Sequence, residues 1–150
     1  MLFPEGSLFL APMEGVTDDI YRYTVEKSFG GWDYYACDFL RIPAAGKYPS
    51  KHIIKHYGKR SFETDFLREK TYYQILASEK SFIEDTVPLI QELGFEWLDI
   101  NLGCPSKTVC KNKGGSYLLS DLKLLETVVS RVRKNFKGNF TAKIRLGYKD

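Results

Sequence analysis

Two stretches of this chain alternate apolar and polar residues with a period of two. In residues 96–102, Leu98, Ile100 and Leu102 alternate with Trp97, Asp99 and Asn101; in residues 140–146, Phe140, Ala142, Ile144 and Leu146 alternate with Thr141, Lys143 and Arg145. Side chains of a strand point to opposite faces with this period. Each stretch is therefore a strand with one greasy face for helices and one face carrying Asp99, Asn101, Lys143 and Arg145. An open doubly wound sheet is apolar on both faces. A barrel with a working interior near its C-terminal mouth accounts for the polar face better, the alternative being a partly exposed sheet with a solvated face.

The rest of the chain alternates between strand-like and helix-like periods. Residues 8–13 read as a short buried strand, after which Gly15 and a Thr17 N-cap open a helix near 18–28. Residues 33–37 are a second strand, followed by a long loop with a helix around 49–57, and residues 72–77 a third strand. Ser81 and Glu84 match a capping box; Phe82, Val87, Ile90 and Leu93 follow a helical face that Pro88 should kink. After the strand at 96–102, Ser120 caps a helix with Leu122, Leu125, Val129 and Val132 on one stripe, and Gly138 stops it. Such alternation implies a parallel α/β sheet with right-handed crossovers. A complete (β/α)8 barrel takes about 250 residues. The expectation for 150 residues is the N-terminal half of a TIM barrel, with about five parallel strands and unpaired outer edges.

The composition, 43% hydrophobic and 15% aromatic, supports one core and excludes disorder. Cysteines number 3, and no signal peptide or long apolar run accompanies them. A reduced, cytoplasmic setting is expected rather than a secreted disulfide scaffold, and no membrane span is expected. The net charge is only +3, but residues 41–60 contain Arg41, Lys47, Lys51, Lys55, Lys59 and Arg60 with no acid. Lys107, Lys111 and Lys113 form a second acid-free basic segment. Both suggest a polyanionic partner such as RNA, unless they are merely solvated loops.

The run Asn101-Leu102-Gly103-Cys104-Pro105-Ser106-Lys107-Thr108-Val109 places a thiol on a Gly/Pro turn at a strand end. Ligands of α/β proteins collect there. A protonated Cys104 could act as a general acid, a thiolate as a nucleophile, and a small buried turn residue as neither. Cys104 and Cys110 fit no zinc spacing, so no metal is expected. Cys37 reads as core; His52 and His56, four apart, read as loop or RNA-facing residues. Gly114 and Gly115 let the loop turn back into the next helix. An inward Lys143 needs a partner: a phosphate, a cofactor carbonyl or Asp99. Arg131, Arg133, Lys134 and Lys137 suit a helix C-terminus.

Together these pieces resemble the tRNA-dihydrouridine synthases, flavin-dependent enzymes on a TIM barrel. The matching motifs are Ala11-Pro12-Met13-Glu14-Gly15-Val16-Thr17-Asp18, Phe39-Leu40-Arg41-Ile42, Gln74-Ile75-Leu76, Asp99 through Val109 with Gly114-Gly115, and Lys143-Ile144-Arg145-Leu146-Gly147. The resemblance implies FMN touched by Pro12, Met13, Glu14, Gln74 and Lys143. It implies hydride delivery from reduced FMN to C6 of a uracil, a proton from Cys104 to C5, and NADPH as reductant. Arg41 and Asn101 match positions contacting tRNA or the target uridine; Lys107 and Arg145 are further candidates for RNA contact. The motifs resemble the bacterial C-type subfamily in particular, which modifies uridine 16. Residues 1–150 are expected to be the N-terminal part of the catalytic barrel, without its remaining strands or the helical tRNA-binding domain. The competing expectations are an FMN enzyme acting on a free pyrimidine and a non-catalytic RNA-binding fragment.

Overall fold

The computed structural model describes residues 3–148. In chain order the elements are β1 (Phe9–Leu10), α1 (Asp19–Ser28), β2 (Tyr34–Ala36), β3 (Leu40–Arg41), α2 (Ser50–Tyr57), α3 (Lys59–Glu63) and α4 (Asp65–Lys70). They are followed by β4 (Thr71–Leu76), α5 (Ile83–Glu92), β5 (Trp97–Asn101), α6 (Lys107–Lys111), a 3₁₀ turn (Gly115–Ser120), α7 (Leu122–Asn135) and β6 (Asn139–Lys143). All pairings are parallel, in the order β1-β2-β4-β5-β6, with β3 also on β4. Each strand thus lies beside its successor, the progression of a barrel rather than of a doubly wound sheet. The expected half-barrel is what forms.

β2 and β3 are two pieces of one barrel strand. Ala36 and Leu40 lie opposite Tyr72 and Ile75, so four steps on this strand span three on β4. One extra residue in one strand is a bulge, which re-aims nearby side chains. Phe39 to Ile42 therefore continues the strand, where a loop after residue 37 was expected.

The two faces divide as the period-two pattern predicted. Tyr73, Ile75, Leu98 and Ile100 point outward and pack fully buried with Ile83, Val87 and Ile90 of α5 and Val128 and Val132 of α7. On the inner face an aromatic floor closes the N-terminal end. Tyr72 stacks on Trp97 at 4.5 Å, Phe3 approaches Trp97 at 4.5 Å, and Phe9 contacts Tyr34 at 5.0 Å. Arg22, fully buried, ties three outer segments by donating to the carbonyls of Thr17 and Tyr57 and to Ser61 Oγ.

The helix ends differ from expectation for local reasons. Thr17 Oγ is spent on Met13, so Asp18 caps α1 instead, accepting from Tyr21 N at 2.7 Å. Ser120 donates to Tyr117 O, and Asp121 caps α7 through Leu124 N. No capping box forms at α5: Ser81 Oγ donates to Ile42 O, while Glu84 pairs with Arg131 at 2.7 Å. Pro88 lies within α5, which continues past it to Glu92. β6 stops at Lys143 because β5 ends at Asn101 and the next residues turn away. Phe140 meets the core, but Ala142, Ile144 and Leu146 remain exposed, as no described helix covers them.

Gly138 lies beyond the α7 C-cap, Phe136, and does not stop the helix. Its small size serves the sheet: an added Cβ would sit 2.3 Å from Glu96 O, beside the Asn139 N to Glu96 O bond of 2.8 Å that starts β6. Gly138→Ala should lower stability by about 1–3 kcal/mol, read as an earlier urea-unfolding midpoint.

Candidate active site

β5 ends in Asn101, and the side chain of that residue folds the next turn. Asn101 Oδ1 accepts the Gly103 and Cys104 amides at 3.0 and 2.9 Å, an Asx-type turn. On its other side, Asn101 Nδ2 donates to Gln74 Oε1 at 3.0 Å, and Gln74 Nε2 donates to Asp99 Oδ2 at 2.7 Å. Thr141 Oγ1 donates to Asp99 Oδ1 at 2.6 Å and accepts from Trp97 Nε1 at 2.9 Å. Gln74, Asp99 and Thr141 share one register across β4, β5 and β6. A continuous relay therefore crosses the interior, from the aromatic floor to the backbone of Cys104.

The other side of Cys104 is clamped as well. Its carbonyl accepts from Ser116 N and Oγ, both at 3.0 Å, and from Cys110 Sγ at 3.8 Å. Gly115, at φ +57°, allows this approach, because a Cβ there would lie 2.7 Å from Cys104 O and 2.8 Å from Val109 Cγ1. The glycine pair thus does more than turn the loop. It lets the loop close against the cysteine. The Cys104 side chain remains half-buried, whereas Cys37 and Cys110 are buried. Among the described residues no cluster of His, Cys, Asp and Glu could hold a metal ion.

Burial raises the Asp99 carboxyl above the usual aspartate range; the Thr141 and Gln74 hydrogen bonds and the nearby Lys143 charge pull it back only in part. Lys143 is exposed, lies opposite Asn101 in the β5–β6 register, and acts on Asp99 through that charge. Asn101 is 8% exposed and Gln74 fully buried.

Gln74, Asn101 and Cys104 are thus joined in one hydrogen-bonded set, with Lys143 beside it. Pro12, Met13 and Glu14 lie in the loop after β1, half-buried, exposed and exposed respectively. That loop is tied to the bulge by Gly15 N donating to Asp38 Oδ2 at 2.8 Å. Arg41, at the C-terminal end of β3, lines a cleft of ≈190 Å³ with Leu76, Val109 and Gly114. Lys107 is exposed at the start of α6, and Arg145 is half-buried beyond β6. His52 and His56 separate: His52 is exposed, while His56 turns inward, 3.3 Å from Tyr73 OH. A hollow of ≈360 Å³ opens at the opposite end, near Arg68, Thr71 and Trp97. In a parallel barrel that end concerns stability rather than chemistry.

Sequence reasoning missed Asp38, Ser116 and the role of Thr141. Thr141 alone carried a signal, since its alternation with Phe140 and Ala142 puts it on the polar face. Asp38 and Ser116 act through loop geometry that no period reveals.

With this geometry in place, the comparisons are consistent. The family model described as dihydrouridine synthase matches residues 9–150, and the chain belongs to that family. Relatives include the tRNA-dihydrouridine(16) synthase of Pseudomonas syringae, 37% identical over 94% of this chain and 45% of the relative. The protein of the same name from Pseudomonas putida is 34% identical, covering 93% and 43%; that from Cupriavidus necator is 31% identical, covering 95% and 45%. The chain therefore spans less than half the length of these relatives. No described helix is long and apolar enough to cross a membrane.

Two outcomes follow for the relay. Asn101→Ala removes the acceptor shared by the Gly103 and Cys104 amides. Iodoacetamide labelling of Cys104, followed by mass spectrometry, should change about fivefold or more, the factor one net hydrogen bond represents, with Cys37 and Cys110 still protected. Asp99 binds its proton more tightly folded than unfolded, so its contribution to stability is fullest below the unfolded value near 3.8. That contribution declines as pH rises through the higher folded value. The stability of the wild type relative to Asp99→Asn should therefore fall as pH rises, measured by urea unfolding across that window.

Proposed function

We propose that this chain is part of a flavin-dependent tRNA-dihydrouridine synthase that reduces a uridine of tRNA to 5,6-dihydrouridine, with uridine 16, named in its relatives, as the target. The observation that carries the proposal is the placement of Cys104. A half-buried thiol, its backbone fixed at both amide and carbonyl, stands at the C-terminal mouth of a half-barrel beside Lys143.

The chemistry of the mouth fits FMN. Lys143 offers a cation for a ring carbonyl, Pro12 and Met13 offer apolar surface, and Glu14 lies next to them. Gln74 supports this ground from beneath and keeps one amide N–H outside the relay. When bound, reduced FMN supplies a hydride to C6 of the uracil, and NADPH restores the reduced flavin. Cys104 would donate its thiol proton to C5 and be reprotonated from solvent. Asn101 keeps the Cys104 loop in place, and Arg41, Lys107 and Arg145 are the cations offered to the substrate RNA. The uridine must leave its stack to reach such a recessed position. A cytoplasmic setting, where cysteines stay reduced, suits a working thiol.

In any preparation of this protein that forms dihydrouridine from unmodified tRNA and NADPH, Cys104→Ala should abolish product while flavin absorbance is retained. Product formation by that variant would remove the proton-donor role. Titration of the chain itself with FMN should give saturable binding with a perturbed visible band, weakened in Lys143→Ala. Faster turnover of free uracil than of tRNA would favour a free-pyrimidine enzyme instead.

A further inference from the structure

The outer face of α2 is a cationic surface with an aromatic platform, and the catalytic reading gives it no task. The Tyr48 and His52 rings stack at 4.2 Å with an interplanar angle of 14°, and Tyr48 OH donates to Arg41 O at 3.1 Å. The stack is thereby fastened to the end of β3, whose Arg41 lines the cleft shared with the loop after Cys104. Tyr48 packs against the core, whereas His52 is exposed. At 3.6 residues per turn, Lys51, His52 and Lys55 lie within one arc of about 100°, and both lysines are exposed.

These cations are not neutralised by neighbours. Among the described residues the ion pairs are Lys59–Glu63, Lys70–Glu26 and Arg131–Glu84, none on this face. No acid occurs anywhere in residues 41–60. The i,i+4 stack of Tyr48 and His52 steadies the start of α2, and it also leaves an exposed ring among unpaired cations. Unpaired RNA bases fit such a surface: they stack on aromatic and histidine rings while lysines answer the flanking phosphates.

We infer that the α2 face docks a single-stranded loop of the RNA substrate, one unpaired base stacking on His52 and the neighbouring phosphates meeting Lys51 and Lys55. The inference rests on the tRNA reading above and adds a second anchor beside the mouth, which Arg41 connects to the site of chemistry.

The test is fluorescence anisotropy of a labelled unmodified tRNA with the chain, across about 50 to 200 mM KCl. The double variant Lys51→Glu/Lys55→Glu should bind at least about tenfold more weakly, with a salt slope shallower by about 1.4, two single-strand phosphate contacts. His52→Ala should weaken binding about tenfold, the scale of one base stack, with the slope unchanged. His52→Phe should restore it. All three positions are exposed, and circular dichroism melts will show whether the fold is kept. Wild-type affinity in the charge-reversed variant overturns the inference, as does indifference to both His52 variants or absence of tRNA binding by the wild type. Equal, His52-independent binding to phosphatidylserine vesicles also overturns it, marking a general polyanion surface. Dihydrouridine formation is scored separately. Weakened variants retain the surface whatever the product; product with unweakened variants would retain the enzymatic reading and overturn the surface.

Discussion

The interior depends on one buried acid. Asp99 is 4% exposed, and a carboxyl removed from water costs several kcal/mol unless its oxygens are hydrogen-bonded. Both oxygens are answered by the two flanking strands at the same register, by Gln74 from β4 and Thr141 from β6. Those partners are committed in turn, Gln74 to Asn101 and Thr141 to Trp97. Loss of any member leaves a buried polar neighbour without its partner. The relay therefore fixes the register of three strands and the turn that carries Cys104 together. Sheet register and loop position are one constraint.

That polar layer is tolerable because of what lies below and beside it. The aromatic floor of Phe3, Phe9, Tyr34, Tyr72 and Trp97 lines the N-terminal end with rings in mutual contact, and the polar groups above it bond to one another. At the other end the loops brace one another. Asp38 holds Gly15, Pro43 O accepts from Phe82 N at 2.9 Å, and a Cβ at Gly114 would sit 3.1 Å from Ala77 O. The bulge between β2 and β3 contributes directly, since the extra residue turns Asp38 toward the loop after β1. A site made of separate loops thereby gains the rigidity of its scaffold.

The parts legible in the sequence were those governed by the strand period of two and by element order; the stripe expected on α7 was misplaced, since Leu122 is 75% exposed and Leu124, Val128 and Val132 are the buried positions. Leu98 and Ile100 against Asp99 and Asn101 announced two faces, and the order of strands and helices announced a half-barrel. The failures arose where one side chain had two possible uses. Thr17 and Ser120 are good caps by type, but each closes a tight turn, and the next aspartate takes the helix end. Ser81 and Glu84 have capping-box spacing, yet each finds a long-range partner, in Ile42 and Arg131. The strand after Cys37 was hidden because a bulge breaks the period that would reveal it. At the site, Cys104 and its glycines were visible as a motif. That Asn101 and Gln74 hold one another, and through them the cysteine turn, required the register.

The same logic separates three thiols that composition treats alike. Cys37 is buried beside β4, where its sulfur accepts from Gln74 N at 3.3 Å and burial pushes the thiol up to about 12, keeping it neutral and inert. Cys110 is buried against the loop and serves as a weak donor to Cys104 O. Cys104 alone has both backbone polar groups held by neighbours while its side chain reaches the mouth. The proposed role as proton donor needs an immobile frame, so that the reach of the thiol is set, and an accessible sulfur, so that the proton can leave and return. The fold supplies the frame through Asn101 and Ser116 and leaves the sulfur accessible, a combination that the other two cysteines lack.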